Sequence, residues 1–354
     1  MRNLAFASAI ALVIAGSGCG GTDGPPDLTA YFAAQPYANP ACNNVDERLA
    51  GQREMRLYVN GAVDLPSITL GLARYYHRHG LAFFTAAPPQ GTPMAYALDT
   101  NETALVLALM AAFPDVDFTD QVAVMSDPVL WPQVITFVTN FMLKPLVDFA
   151  NTHSEAGGAA TNLIVVPQME RPGGEPIGDP GTSLAGLAIS PALLAEFART
   201  MPDEAEIWAG VNLPANFTPM MVLGNDVLKR AGSLDPQLRD VVVAHEFGHT
   251  GALIHSLEPR NLMHQGVAVG VNDCTDSLDD AQLALMRATY GLGTAAASGA
   301  LLAKRTAAPP SARPSRALSS FTPDSLRAML AGDRRAMRSF VELLFHGAAI
   351  PAAP

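Results

Sequence analysis

Val243 to Gln265 reads VAHEFGHTGALIHSLEPRNLMHQ, and the rest of the chain is best understood outward from there. His245 and His249 stand four apart in a helical pattern. At about 3.6 residues per turn they lie on one face with their rings pointing the same way. Two imidazoles so placed can share one zinc ion. Glu246 follows the first histidine, beside such an ion rather than on it. A base must stand there to take a proton from a polarised water. His255 comes six residues after His249. On a continuing helix it would lie about 240° around the axis and miss the cluster. The helix is therefore predicted to break at Gly251, the residue that permits the turn. Three imidazoles with one open position make the catalytic form of a zinc site.

Met263 follows eight residues after His255, within Arg260-Asn261-Leu262-Met263. This constellation resembles the metzincin metallopeptidases. The spacing of His255, Ser256, Pro259, Leu262 and Met263 is similar to that of the matrixin branch. The resemblance implies an α/β fold, with a twisted mixed sheet over a long active-site helix, a Met-turn and a C-terminal helix. It implies zinc on His245, His249 and His255, Glu246 as general base, and Met263 as an apolar floor beneath the metal. There are departures. Ala252 stands where the family has glycine, with Gly251 one place earlier. Gln265 replaces the tyrosine of astacin- and serralysin-like members, and His264-Gln265-Gly266 replaces the matrixin pocket wall.

Upstream, Gly181 to Ala188 (GTSLAGLA) resembles the matrixin edge strand beside the cleft. An extended substrate is expected along Leu184, Ala185 and Gly186. The histidine that holds a structural zinc in matrixins is Gly186 here, so no second zinc is expected. Matrixins carry calcium in loops comparable to residues 171–182, RPGGEPIGDPGT. Glu175 and Asp179 are the candidate ligands there, a thin set for a cation that takes about six or more oxygens.

The N-terminus, MRNLAFASAIALVIAGSGC, has one arginine and an apolar run too short to span a bilayer. Residues 1–18 are read as a signal peptide. Cys19 after Gly-Ser-Gly resembles the bacterial lipobox, with Gly16 where leucine is usual. A lipid anchor on Cys19 is expected, at the bacterial cell envelope, with plain secretion as the alternative. Export leaves Cys42 and Cys274, an even pair in an oxidising compartment, which is expected to bond. Two separate buried thiols, or Cys42 masking a metal as a thiolate, are the other readings.

Residues 19–45 read as a tether and 46–292 as the catalytic domain. Its first elements are a strand at 56–59, a helix at 66–79 and a strand at 81–85. Residues 101–155 read as a helical insertion, with helices at 101–113 and 128–150. Asn162–Val166 and Met220–Leu223 read as strands, and 191–199 as a helix. Asp235-Pro236 starts the active-site helix, which runs to about Thr250. Ser277 caps a helix to Tyr290. His77 and His79, two apart on their helix, read as surface residues.

The net charge of −11 is uneven. Residues 293–354 hold eight bases and three acids, leaving −16 on the remainder. An acidic body excludes a nucleic-acid binder, which needs a clustered basic face. Residues 293–321 read as an Ala/Pro/Ser-rich linker. Residues 322–354 read as a basic amphipathic helix and tail, docked on the body or on a membrane surface.

The expected function is an exported zinc endopeptidase acting as a monomer on protein or peptide substrates. The competing class is a lipid-anchored binding protein whose zinc is structural and which has no peptidase activity.

Overall fold

A computed structural model describes residues 39–292, with breaks at 93, 119, 156–159, 173–181, 202–204, 206–207 and 265–272, and residues 349–351. Cys19, Glu175, Asp179, the linker and the tail helix lie outside the described residues.

The fold is mixed α/β around a mostly parallel sheet. Strand β1 (Gly51–Val59) pairs in parallel with β2 (Leu81–Phe84), with the short β3 (Gln90–Gly91) and with β4 (Ala160–Val166). On the far side of β4 comes β7 (Met220–Gly224), also parallel. The antiparallel β6 (Gly186–Ile189) closes that edge, giving the order β2-β1-β4-β7-β6. All seven residues of β4 are buried, as a central parallel strand with both faces covered requires.

Successive side chains of a strand point to opposite faces, and two cores result. Leu163 and Val165 of β4 enter one core with Met221 and Leu223 of β7. Helices α1 (Leu65–His77), α8 (Pro236–Thr250) and α9 (Asp280–Tyr290) cover that face. Ile164, Val166, Met220 and Val222 enter the other core. There they meet α2 (Glu102–Ala112), α3 (Gln121–Ser126), α4 (Leu130–Met142), α5 (Lys144–His153) and α6 (Pro191–Thr200). The helices between 101 and 155 thus cover one face of the sheet. The apolar pattern across 128–150 predicts one helix where there are two. Leu143 ends α4 and opens α5, with Pro145 in the first turn of α5. Proline lacks an N–H and suits a helix start. Helix α7 (Asn225–Leu234) follows β7 directly and was not foreseen from the sequence.

His79 is buried, not on the surface, at 6% exposure. Residues 46–51 fold back over it: the Leu49 N–H donates to the His79 carbonyl, and the Gly51 N–H to that of Gly80. Gly80 sits at φ 75° so that the chain can reverse there, with the Asp46 carbonyl too close for any Cβ. Burial pushes the His79 imidazole down to about 3, with the Arg78 charge acting in the same direction and Asp46 opposing. The folded value lies below the unfolded one of 6.5, so the unfolded chain takes up the proton first. Stability from this group is complete above pH 6.5 and falls as pH drops toward 3, by up to about 1.4 kcal/mol per pH unit. Urea unfolding of wild type and His79→Gln between these limits should show a shallower acid loss in the variant. Equal slopes would refute the assignment.

Cys42 and Cys274 form a disulfide across 232 positions, with Cα atoms 5.6 Å apart. Both residues are buried. Among the described residues, no helix is long and apolar enough to cross a membrane.

Candidate metal centre

Helix α8 starts where the Asp235 side chain accepts the Gln237 N–H at 2.9 Å, with Pro236 in the first turn. From Val241 to Thr250 every residue is buried, so the helix is enclosed on all sides. Tyr76 of α1 donates its hydroxyl to the Ala244 carbonyl at 2.9 Å and fixes the helix against α1.

Helix α8 ends at Thr250 and breaks at Gly251 as the sequence suggests, but the left-handed residue of the turn comes one place later. Gly251 is the C-cap with ordinary φ (−87°), and Ala252 takes the left-handed turn at φ 68°. Gly251 serves another purpose. A Cβ there would stand 2.9 Å from Met286 Cγ and 3.1 Å from the Tyr290 hydroxyl, so its bareness lets α9 approach. Tyr290 also shares a 2.8 Å hydrogen bond with Thr250 Oγ1 and lies under the Arg53 guanidinium at 4.5 Å. At Ala252, left-handed backbone costs about 1–2 kcal/mol for an L-residue. Burying its methyl returns about 0.8 kcal/mol, and glycine would add unfolded-state entropy. Ala252→Gly should therefore change stability by less than about 1 kcal/mol. Ala252→Val, β-branched at positive φ, should lose more than about 2 kcal/mol. Denaturant midpoints test both, and a neutral valine would contradict the strain argument.

Beyond the turn, the chain comes back over the two helical imidazoles. His245 Nδ1–H donates to the Leu262 carbonyl at 2.7 Å, and His249 Nδ1–H to the Leu253 carbonyl at 2.7 Å. Those bonds fix the tautomers and leave a lone pair on each Nε2. The two Nε2 atoms are 3.2 Å apart, and His255 Nε2 is 3.2 Å from that of His245. Nitrogens around one tetrahedral ion with ordinary Zn–N bonds stand about 3.3 Å from one another. Lone pairs aimed at each other at this distance repel unless a cation lies between them. The donor set therefore fits a metal ion, and His245, His249 and His255 are the residues that can hold it. His245 and His249 are buried, and His255 is part-buried.

Met263 is fully buried, in close contact with Gly248, which stands between His245 and His249 on α8, and any side chain there would collide with the methionine sulfur. Its turn is held by residues that spacing alone does not reveal. Asn261 Oδ1 accepts the Met263 N–H at 2.9 Å, and the Met263 carbonyl accepts the Ser256 N–H at 2.8 Å. Asn261 and Gln282 exchange two further side-chain hydrogen bonds, at 2.8 and 3.1 Å. Gln282 belongs to a capping box with Asp279, the true N-cap of α9, two residues beyond Ser277. The D-x-x-Q pattern was a readable signal for that cap.

Glu246 is fully buried and faces β6. A Cβ on Gly186 would stand 2.7 Å from Glu246 Cγ and 3.0 Å from Cδ. Gly186 is thus the bare patch of strand against which the carboxylate side chain lies. Strand β5 (Thr182–Leu184) precedes it, with Ala185 between, whose carbonyl accepts the Gly224 N–H at 2.9 Å. Leu184, Ala185 and Gly186 therefore run alongside the site. No protein-family model matches this chain, and no curated protein does.

Proposed function

We propose that this protein is an exported zinc-dependent endopeptidase of metzincin type, carried by one observation: the convergence of three imidazoles beside a buried glutamate and an edge strand. Imidazole donors in a near-tetrahedral set with an open side favour zinc. Zinc held by His245, His249 and His255 would supply a Lewis acid that acidifies water and polarises a carbonyl. The protein's own groups supply the rest. Leu262 and Leu253 carbonyls orient His245 and His249. Glu246 takes a proton from the attacking water and passes it to the leaving amine. His255, the least buried of the three, is where water and substrate would reach the site. A mostly parallel sheet with one antiparallel edge strand next to the long helix supports the family reading, as does a buried Met263 packed on Gly248 of that helix. A lipid anchor on Cys19 and placement at the cell envelope belong to the same proposal.

The test is zinc content and peptide-library cleavage by wild type and His255→Ala. Wild type should hold one zinc and cleave, and the variant should lose both properties. A wild type that keeps one zinc and cleaves nothing would favour the structural-zinc binding protein.

A further inference from the structure

Strand β5 is not bare. Strand β8 (Ala349–Pro351), the chain's own C-terminal segment, pairs with it antiparallel. Thr182 stands opposite Pro351, Ser183 opposite Ile350 and Leu184 opposite Ala349. Pro351 has no N–H to give, so the hydrogen-bonded pair of this ladder is Ser183 with Ile350. Two positions past Leu184 is Gly186, the residue in contact with Glu246. A peptide continued in this register beyond Leu184 is therefore delivered to the strand position beside the carboxylate.

We propose that β5 is a docking edge for extended peptides and that residues 349–351 are its resident occupant, excluding other peptides while they are paired. That these other peptides include substrates rests on the peptidase reading above. Strand addition draws its affinity from main-chain hydrogen bonds and is tolerant of sequence. The segment Gly347–Pro354 reads GAAIPAAP, uncharged throughout. It is tied to the body through residues 293–348. Because it is covalently attached, its pairing is intramolecular, and a free peptide must compete against an effective concentration rather than a free one.

The experiment uses the full chain as wild type and as Ile350→Pro, which removes the N–H of the paired position. Hydrogen exchange is followed over a fragment containing Thr182–Leu184. A labelled peptide FHGAAIPAAP, the sequence of residues 345–354, is titrated into both proteins by fluorescence anisotropy. The variant should exchange faster at 182–184 and bind the peptide at least about threefold more tightly than wild type. Equal exchange and equal peptide binding in the two proteins would overturn the proposal. Faster exchange with no peptide binding by the variant would overturn it as well, because the edge would then dock nothing. Neither readout requires catalysis. If both come out as expected while no library peptide is cleaved, the docking edge stands and the peptidase reading fails. If peptides are cleaved, the variant should show a lower KM at unchanged kcat.

Discussion

Glu246→Gln should lower kcat/KM for peptide cleavage by about 10²–10⁴-fold while the protein keeps its zinc. The substitution preserves the length and volume of a side chain that is fully buried and lies 2.7 Å from the place of a Gly186 Cβ. It removes only the ability to take up and hand on a proton. The imidazoles keep their carbonyl partners on Leu262 and Leu253, so the metal site should be undisturbed. Steady-state kinetics alongside metal analysis separates the two effects. Activity within a few-fold of wild type would remove Glu246 from the chemistry. Loss of zinc would show that it supports the site instead.

Replacing Cys42 and Cys274 together by serine should destabilise the protein by on the order of 5 kcal/mol, close to the largest effect one disulfide can have. The size follows from the 232 positions that the bond spans, since loop-closure entropy in the unfolded chain grows with loop length. Against a typical total of about 5–15 kcal/mol, that leaves a marginal fold. The bond also fastens the segment that precedes residues 46–51, which cover His79, to the segment leading into α9. Chemical denaturation of the double variant and of reduced wild type should give matching midpoints, both well below that of the oxidised protein. A shift of less than about 1 kcal/mol would mean that the unfolded chain is not held by this link.

What could be read from the residues alone was whatever is decided locally. Helix α8 begins and ends where Asp235, Pro236 and Thr250 indicate, because cap and proline act within one turn. The three histidines come together because a helical face and a following turn are both short-range constraints. The left-handed residue of the turn is Ala252, one place past the glycine that the sequence points to. Glycine was the obvious candidate for positive φ, but Gly251 is needed bare for the approach of Met286 and Tyr290, and Ala252 takes the strain. The burial of His79 depends on a segment some thirty positions upstream folding over it, and no periodicity carries that information. The Asn261–Gln282 exchange and the contact of Gly186 with Glu246 are likewise products of assembly. The pairing of β5 with β8 joins positions more than 160 apart, beyond any local signal.

The bond between Cys42 and Cys274 has a further consequence when the chain is cut. Both sheet faces, the histidine cluster and strands β1 to β7 lie within the ring that it closes. A single cut anywhere between residues 43 and 273, as in the glycine- and proline-rich stretch 171–182, leaves one covalent molecule. Nicked protein would keep its mass, gaining only one water, and would part into fragments on a gel only after reduction. A cut then becomes a scar rather than a loss of parts, and the two sides of the histidine cluster stay together.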